Sequence, residues 1–138
     1  MKSFHTLLKI AQRRLDELGI EAARAGKDVS DLQDKVAGIR AREQTEITTA
    51  AANPDYASML PAYRLRIRWQ LDEINVQVRA KEAHLAEIRE RLSAAYIEKS
   101  KFEQLIEQTR VREDAERLAR EQGMLDEVAT NRAGGQGR

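Results

Sequence analysis

Apolar residues recur at alternating three- and four-residue spacing through most of this chain, a period that suits amphipathic helices and not strands. In the first 50 residues a single heptad frame places Leu8, Leu15, Ala22, Val29 and Val36 at a, and Phe4, Ala11, Leu18, Ala25, Leu32 and Ile39 at d. Five heptads without a miss are the pattern of a coiled coil. The frame turns polar at Glu43 and Glu46, just ahead of Thr48-Thr49-Ala50-Ala51-Ala52-Asn53-Pro54-Asp55. Pro54 biases Asn53 away from helical dihedrals, and Asn-Pro-Asp is turn chemistry. Pro61 fits only the first turn of a new helix, whose start is expected near Ser58 as N-cap. The second helix has its own frame, with Leu71, Val78, Leu85 and Leu92 at a and Leu60, Ile67, Ile74, Ile88, Ala95 and Phe102 at d. Lys81 and Lys99 interrupt that seam; their stems can lie along it while the ammonium groups reach the edge.

A short connection makes consecutive helices antiparallel neighbours. The expected fold class is therefore all-α, two long helices forming an antiparallel coiled-coil hairpin, with the second helix overhanging the first. With the turn near Asp55, Ile39 faces Leu71, Val36 faces Ile74, Leu32 faces Val78, Ala25 faces Leu85 and Ala22 faces Ile88. Further along, Leu18 faces Leu92, Leu15 faces Ala95 and Leu8 faces Phe102, and Glu46 falls opposite Arg64 near the tip. Small residues meet large ones at three of these layers, as even packing of a seam requires. The expected organisation is helix 1 over 1–50, a turn over 51–58, the paired part of helix 2 over 59–109, an overhang over 110–130, and a disordered glycine-rich tail over 131–138.

Composition agrees with this and limits function. Of 138 residues, 34% are charged and only 4% aromatic, too few aromatics for a conventional globular core. The formal charge of +1 is no basis for strong attraction to a phosphate backbone, so no nucleic-acid partner is expected. Cysteine is absent, which removes disulfides and thiolate metal sites. No apolar run reaches the ~20 residues of a membrane span, and the N-terminal sequence lacks a signal-peptide pattern. A cytoplasmic protein is expected.

The overhang carries the most functional information. The heptad frame breaks at Glu113, and Val111, Ala115, Leu118, Gln122, Leu125 and Ala129 form a new stripe at 3–4 spacing. Some twenty residues of helix would extend ~30 Å. An isolated helix gains little from propensity and needs burial of its apolar face. Three readings stand: a docking element for a partner protein, a solvated helix kept in place by its interleaved acids and arginines, or a stripe for self-association into a coiled-coil scaffold.

Other residues have sharper and blander readings. Trp69 sits at an exposed f position beside Tyr63, Arg64, Arg66 and Arg68, a composition that suits a protein interface and, less well, single-strand nucleic acid. The blander alternative is a ring lying back on neighbouring stems. Gly19 and Gly26, one heptad apart at e, are tolerated small residues or the approach of a third helix. His5 and His84 are too distant for one metal site. A two-helix hairpin has no water-excluding pocket for acid–base catalysis and this one has no phosphate loop, so no catalytic, cofactor or metal residues are assigned.

The segment Arg120-Glu121-Gln122-Gly123-Met124-Leu125-Asp126-Glu127-Val128-Ala129 resembles the end of the FliJ family, coiled-coil proteins of the flagellar type III export apparatus similar to YscO-type injectisome stalk proteins. The Met1-Lys2-Ser3 start and the stretch Leu71-Asp72-Glu73-Ile74-Asn75-Val76-Gln77, like the family's Leu-x-x-apolar-x-x-Gln, agree. The resemblance implies a non-enzymatic stalk and adaptor, cytoplasmic and peripheral at the inner face of the inner membrane. Such a stalk inserts into the export ATPase ring by the end bearing both termini and engages the cytoplasmic domain of the export gate near its tip. Some members bind export chaperones, and contact with the membrane is only indirect. The resemblance carries an ATPase contact onto Leu118, Glu121, Gln122, Leu125, Asp126 and Glu127, joined by Val111 and Ala115 of the same stripe. It carries a gate contact onto Ile67, Leu71 and Ile74, to which composition adds Tyr63 and Trp69. The chain departs from the family at Gly123, where many members have Lys, and at Arg42 and Glu46, where many have aromatics.

Overall fold

A computed structural model describes residues 2–136, with backbone only at Lys2 and Gln136. Among the described residues the chain is all-helical: α1 spans Lys2–Ala52, α2 Pro54–Ala57 and α3 Leu60–Gln136. The chain has two prolines, and both lie at the connection. Asn53 is extended (φ −139°, ψ 100°), and Pro54 opens the single turn of α2 from the N1/N2 end, where its missing N–H costs nothing. The polar run before it stays helical to Ala52. The hydroxyls of Thr45, Thr48 and Thr49 each donate to the carbonyl four residues earlier, at 2.9–3.1 Å, so they do not compete for the turn.

The start of α3 corrects one expectation. Ser58 closes α2 as its C-cap, and the first helical bond of α3 runs from the Tyr63 N–H to the Met59 carbonyl at 3.2 Å. Met59 is thus the residue that leads in, because the extra turn of α2 shifts the start one position beyond Ser58. The tail corrects another. Residues 131–136, expected to be disordered, continue α3, and Gly134 and Gly135 do not take positive φ. Glycine weakens a helix by about 1 kcal/mol but does not clash within it, and no proline removes a donor there. Residues 137 and 138 lie outside the described residues.

The chain divides into two units. In the unit of residues 15–94, Ala25 and Val29 of α1 form a buried cluster with Leu85 and Ile88 of α3, and Ala22 packs against it. Asp28 and Lys81 add an ion pair at 3.9 Å between the two helices. Small Ala22 and Ala25 of α1 thus share one cluster with the larger Leu85 and Ile88 of α3. Near the connection the expected Glu46–Arg64 pair does not form. Arg64 instead shares a groove with Arg40 and Glu43, and Glu46 borders another with Tyr63 and Arg66.

In the unit of residues 1–14 and 95–138, Ala11 and Ala95 are buried, and Phe4, Leu8, Phe102, Ile106 and Thr109 are half-buried. Lys99 is half-buried there, its Nζ 3.5 Å from Glu103. Along both helices, every apolar residue assigned to a or d from Phe4 to Ile39 and from Leu60 to Phe102 is buried or half-buried. Gly19 and Gly26 have open space where a Cβ would stand, so no other part of the described chain approaches them closely.

Because Ile88 is 3% exposed inside the cluster, Ile88→Ala should lower stability by about 2–4 kcal/mol. Ile97→Ala, at an exposed position of the same helix, should change it by less than about 0.5 kcal/mol. Urea titrations followed by circular dichroism would measure both.

Candidate protein-docking surfaces

Beyond Thr109 every described residue up to Gly135 is exposed except Asp114, which is half-buried. Nothing in the described chain therefore covers the second stripe. Leu118 is 60% and Leu125 65% exposed, Val111 is similarly open, and Ala115, Glu121, Gln122, Asp126 and Glu127 are exposed as well. Met124 and Val128 are also large, apolar and exposed. They stand four residues apart on a different face, which a search for a single stripe overlooks; the i, i+4 spacing is the signal for them.

The charged residues of this segment are joined along the helix. Arg110 holds Glu107 through two hydrogen bonds, 2.7 and 3.1 Å, and donates to Asp114 at 3.0 Å. Arg117 lies 3.4 Å from Asp114 and 4.0 Å from Glu121. The Gln122 amide donates to the Asp126 carboxylate at 3.3 Å, and the Thr130 hydroxyl to the Asp126 carbonyl at 2.9 Å. The hydrogen bonds from Arg110, and then its charge, hold the Glu107 carboxyl below its ordinary value; the same bonds raise the Arg110 guanidinium.

The unit of residues 15–94 carries the second surface. Trp69 is 63% exposed, as an f position should be. The Arg66 guanidinium stands 6.0 Å from the Tyr63 ring centroid, within cation–π range. Tyr63, Tyr56, Met59 and Leu60 line an open groove of about 470 Å³ whose rim carries Glu46 and Arg66. A neighbouring groove of about 520 Å³ has Arg40, Arg64, Arg68 and Leu71 in its walls. The structure separates the five tip residues. Trp69 is free, Tyr63 and Leu71 are half-buried but reach grooves, and Ile74 is half-buried in the a/d seam. Ile67 is 7% exposed, which leaves it little surface to offer. Exposed Leu65, Tyr56 and Met59 are additions the heptad reading passed over, since each lies off the a/d rows.

Among the described residues, no group of three or more His, Cys, Asp or Glu side chains is placed to hold a metal ion. Nor is any described helix long and apolar enough to cross a membrane. What these surfaces offer is apolar area edged by charge, the chemistry of protein recognition.

The depressed Glu107 carboxyl predicts a pH response. Its favourable contribution is complete above 4.5, its ordinary value, and is lost as pH falls through the lower folded-state value. A carboxyl-carbon NMR titration of Glu107 should show a midpoint below 4.5, and Arg110→Gln should return it to that value.

A family model described as the flagellar FliJ protein matches residues 1–138. No curated protein and no solved structure matches the chain.

Proposed function

The chain belongs to the flagellar FliJ family, and from that premise we propose that it is the non-enzymatic stalk and adaptor of a flagellar type III export apparatus, docked into the export ATPase ring by the end of α3. Membership already associates the chain with flagellar protein export. The finer reading is supported by one observation above all: the apolar stripe Val111, Leu118, Leu125 lies uncovered on a continuous helix. Exposed apolar area of that kind on a chain this highly charged is a binding surface awaiting cover.

In this reading α1 and α3 form an antiparallel hairpin whose second strand outruns the first. Neighbours across the two helices support it: Asp28 pairs with Lys81, Ala25 and Ile88 border one groove, and Arg40 shares another with Leu71, so residue numbers run in opposite senses. A stiff rod with an asymmetric end, seated in a ring of similar subunits, contacts them unequally and biases their nucleotide states in turn. The ATP chemistry belongs to the ring. Val111, Ala115, Leu118 and Leu125 supply apolar contact, Gln122 adds a polar one on the same stripe, and Glu121, Asp126 and Glu127 set orientation. The exposed Trp69, with Tyr63 and Leu71 at their grooves, supplies the contact to the gate's cytoplasmic domain. Ile67 and Ile74 act through the seam that supports them. Export chaperones, which some members of the family bind, are proposed as further partners.

Leu118→Asp with Leu125→Asp should abolish binding to the export ATPase in a pull-down while leaving most helix content unchanged. Persistent binding would place the contact elsewhere. The same stripe could instead pair two copies of the chain, so the mass in solution separates the readings: a monomer fits the stalk, and a tight dimer dissolved by the double substitution fits a scaffold.

A further inference from the structure

The helix beyond Thr109 has almost no tertiary burial, whereas most helical stability in proteins comes from packing of an apolar face. Yet α3 continues to Gln136. What stands in for burial is on the helix itself. Glu107, Arg110, Asp114, Arg117 and Glu121 are joined by four ion pairs, each spanning three or four residues. Arg110 is shared by two carboxylates, Arg117 by two, and Asp114 receives both arginines, so the links form one uninterrupted ladder. The ladder begins two residues before Thr109, the last position before the exposed stretch, and ends among the docking residues at Glu121. Elsewhere on α3, Glu87–Arg91 and Lys99–Glu103 are isolated couples. Among the described residues of α3, such pairs join up where tertiary cover stops.

Exposed ion pairs are weak one at a time, but a network with shared partners fixes several side chains together. At about 100° per residue the ladder occupies the flank beside Val111, Leu118 and Leu125 and leaves the stripe itself open. We propose that this ladder makes the segment 107–121 a self-supporting helix that presents its apolar stripe already folded, with Arg110 and Arg117 as positioning residues. The inference rests on the docking reading above only for what the stripe is for. A preformed helix spares a partner the ordering cost of coupled folding. It also makes the stripe's readiness sensitive to ionic strength, since screening weakens exposed pairs and leaves the apolar seam intact.

Hydrogen exchange on the full chain alone, read by mass spectrometry, tests this without any partner. Arg110→Gln with Arg117→Gln should speed exchange of amides 110–130 about fivefold and leave those of 15–94 unchanged, the loss expected from several i, i+3 and i, i+4 pairs. A reversed ladder, Glu107→Arg, Arg110→Glu, Asp114→Arg, Arg117→Glu and Glu121→Arg, should restore slow exchange, because it rebuilds the pairs with opposite sign. Wild-type rates in the double variant, or fast exchange in the reversed ladder, would overturn the proposal. Neither result involves the ATPase, so failure here leaves docking standing, whereas persistent ATPase binding by the Leu118→Asp, Leu125→Asp chain removes docking and leaves the ladder.

Discussion

Two alanines of α1, Ala22 and Ala25, lie against Ile88 and Leu85 of α3, and Val29 completes the cluster. With so few aromatics, this chain cannot gather a globular core, and burial has to come from a line of modest contacts repeated along two helices. Each contact removes a limited apolar area from water, at roughly 25 cal/mol per Å². Within this cluster the small Ala22 and Ala25 leave room for the larger Leu85 and Ile88. Loss of one large residue cannot be repaired by collapse around it, since its neighbours on α1 have almost no side chain to move.

Unequal helix length follows from the same arrangement. α1 has 51 residues and α3 has 77. Apart from half-buried Asp114, burial among the described residues ends at Thr109, and the stripe at Val111, Leu118 and Leu125 is left to solvent. Two kinds of interaction thus divide one helix. The apolar seam stabilises its first part at any ionic strength, and the run of shared ion pairs accompanies its second. For a protein associated with flagellar export, that division separates the part that gives stiffness from the part proposed to meet a ring.

The seam was legible in the sequence because a/d burial depends only on helical period, and Ala11, Leu18, Ala25, Val29 and Ile39 are all buried as the frame requires. The f position of Trp69 was legible for the same reason. The connection was less so. Pro54 marks a break, but whether a proline ends one helix or opens a short one depends on backbone satisfied nearby, and α2 moved the lead-in of α3 from Ser58 to Met59. Glu46 and Arg64 share a register level, yet long exposed side chains choose among several partners and solvent, and these two went to different grooves. Glycines near the end read as disorder, while an unbroken chain of backbone hydrogen bonds carries the helix through Gly134 and Gly135.

Period, proline placement and the sparse aromatic content were enough by themselves to determine an all-helical chain with one central break and a C-terminal stripe out of phase with the rest. Those properties are local or additive along the chain, so no fold is needed to read them. How far Ile67 withdraws from the surface and where cover stops on α3 were decided only by the tertiary structure. Each depends on distances between side chains from different turns or different helices, and a linear spacing rule does not contain them.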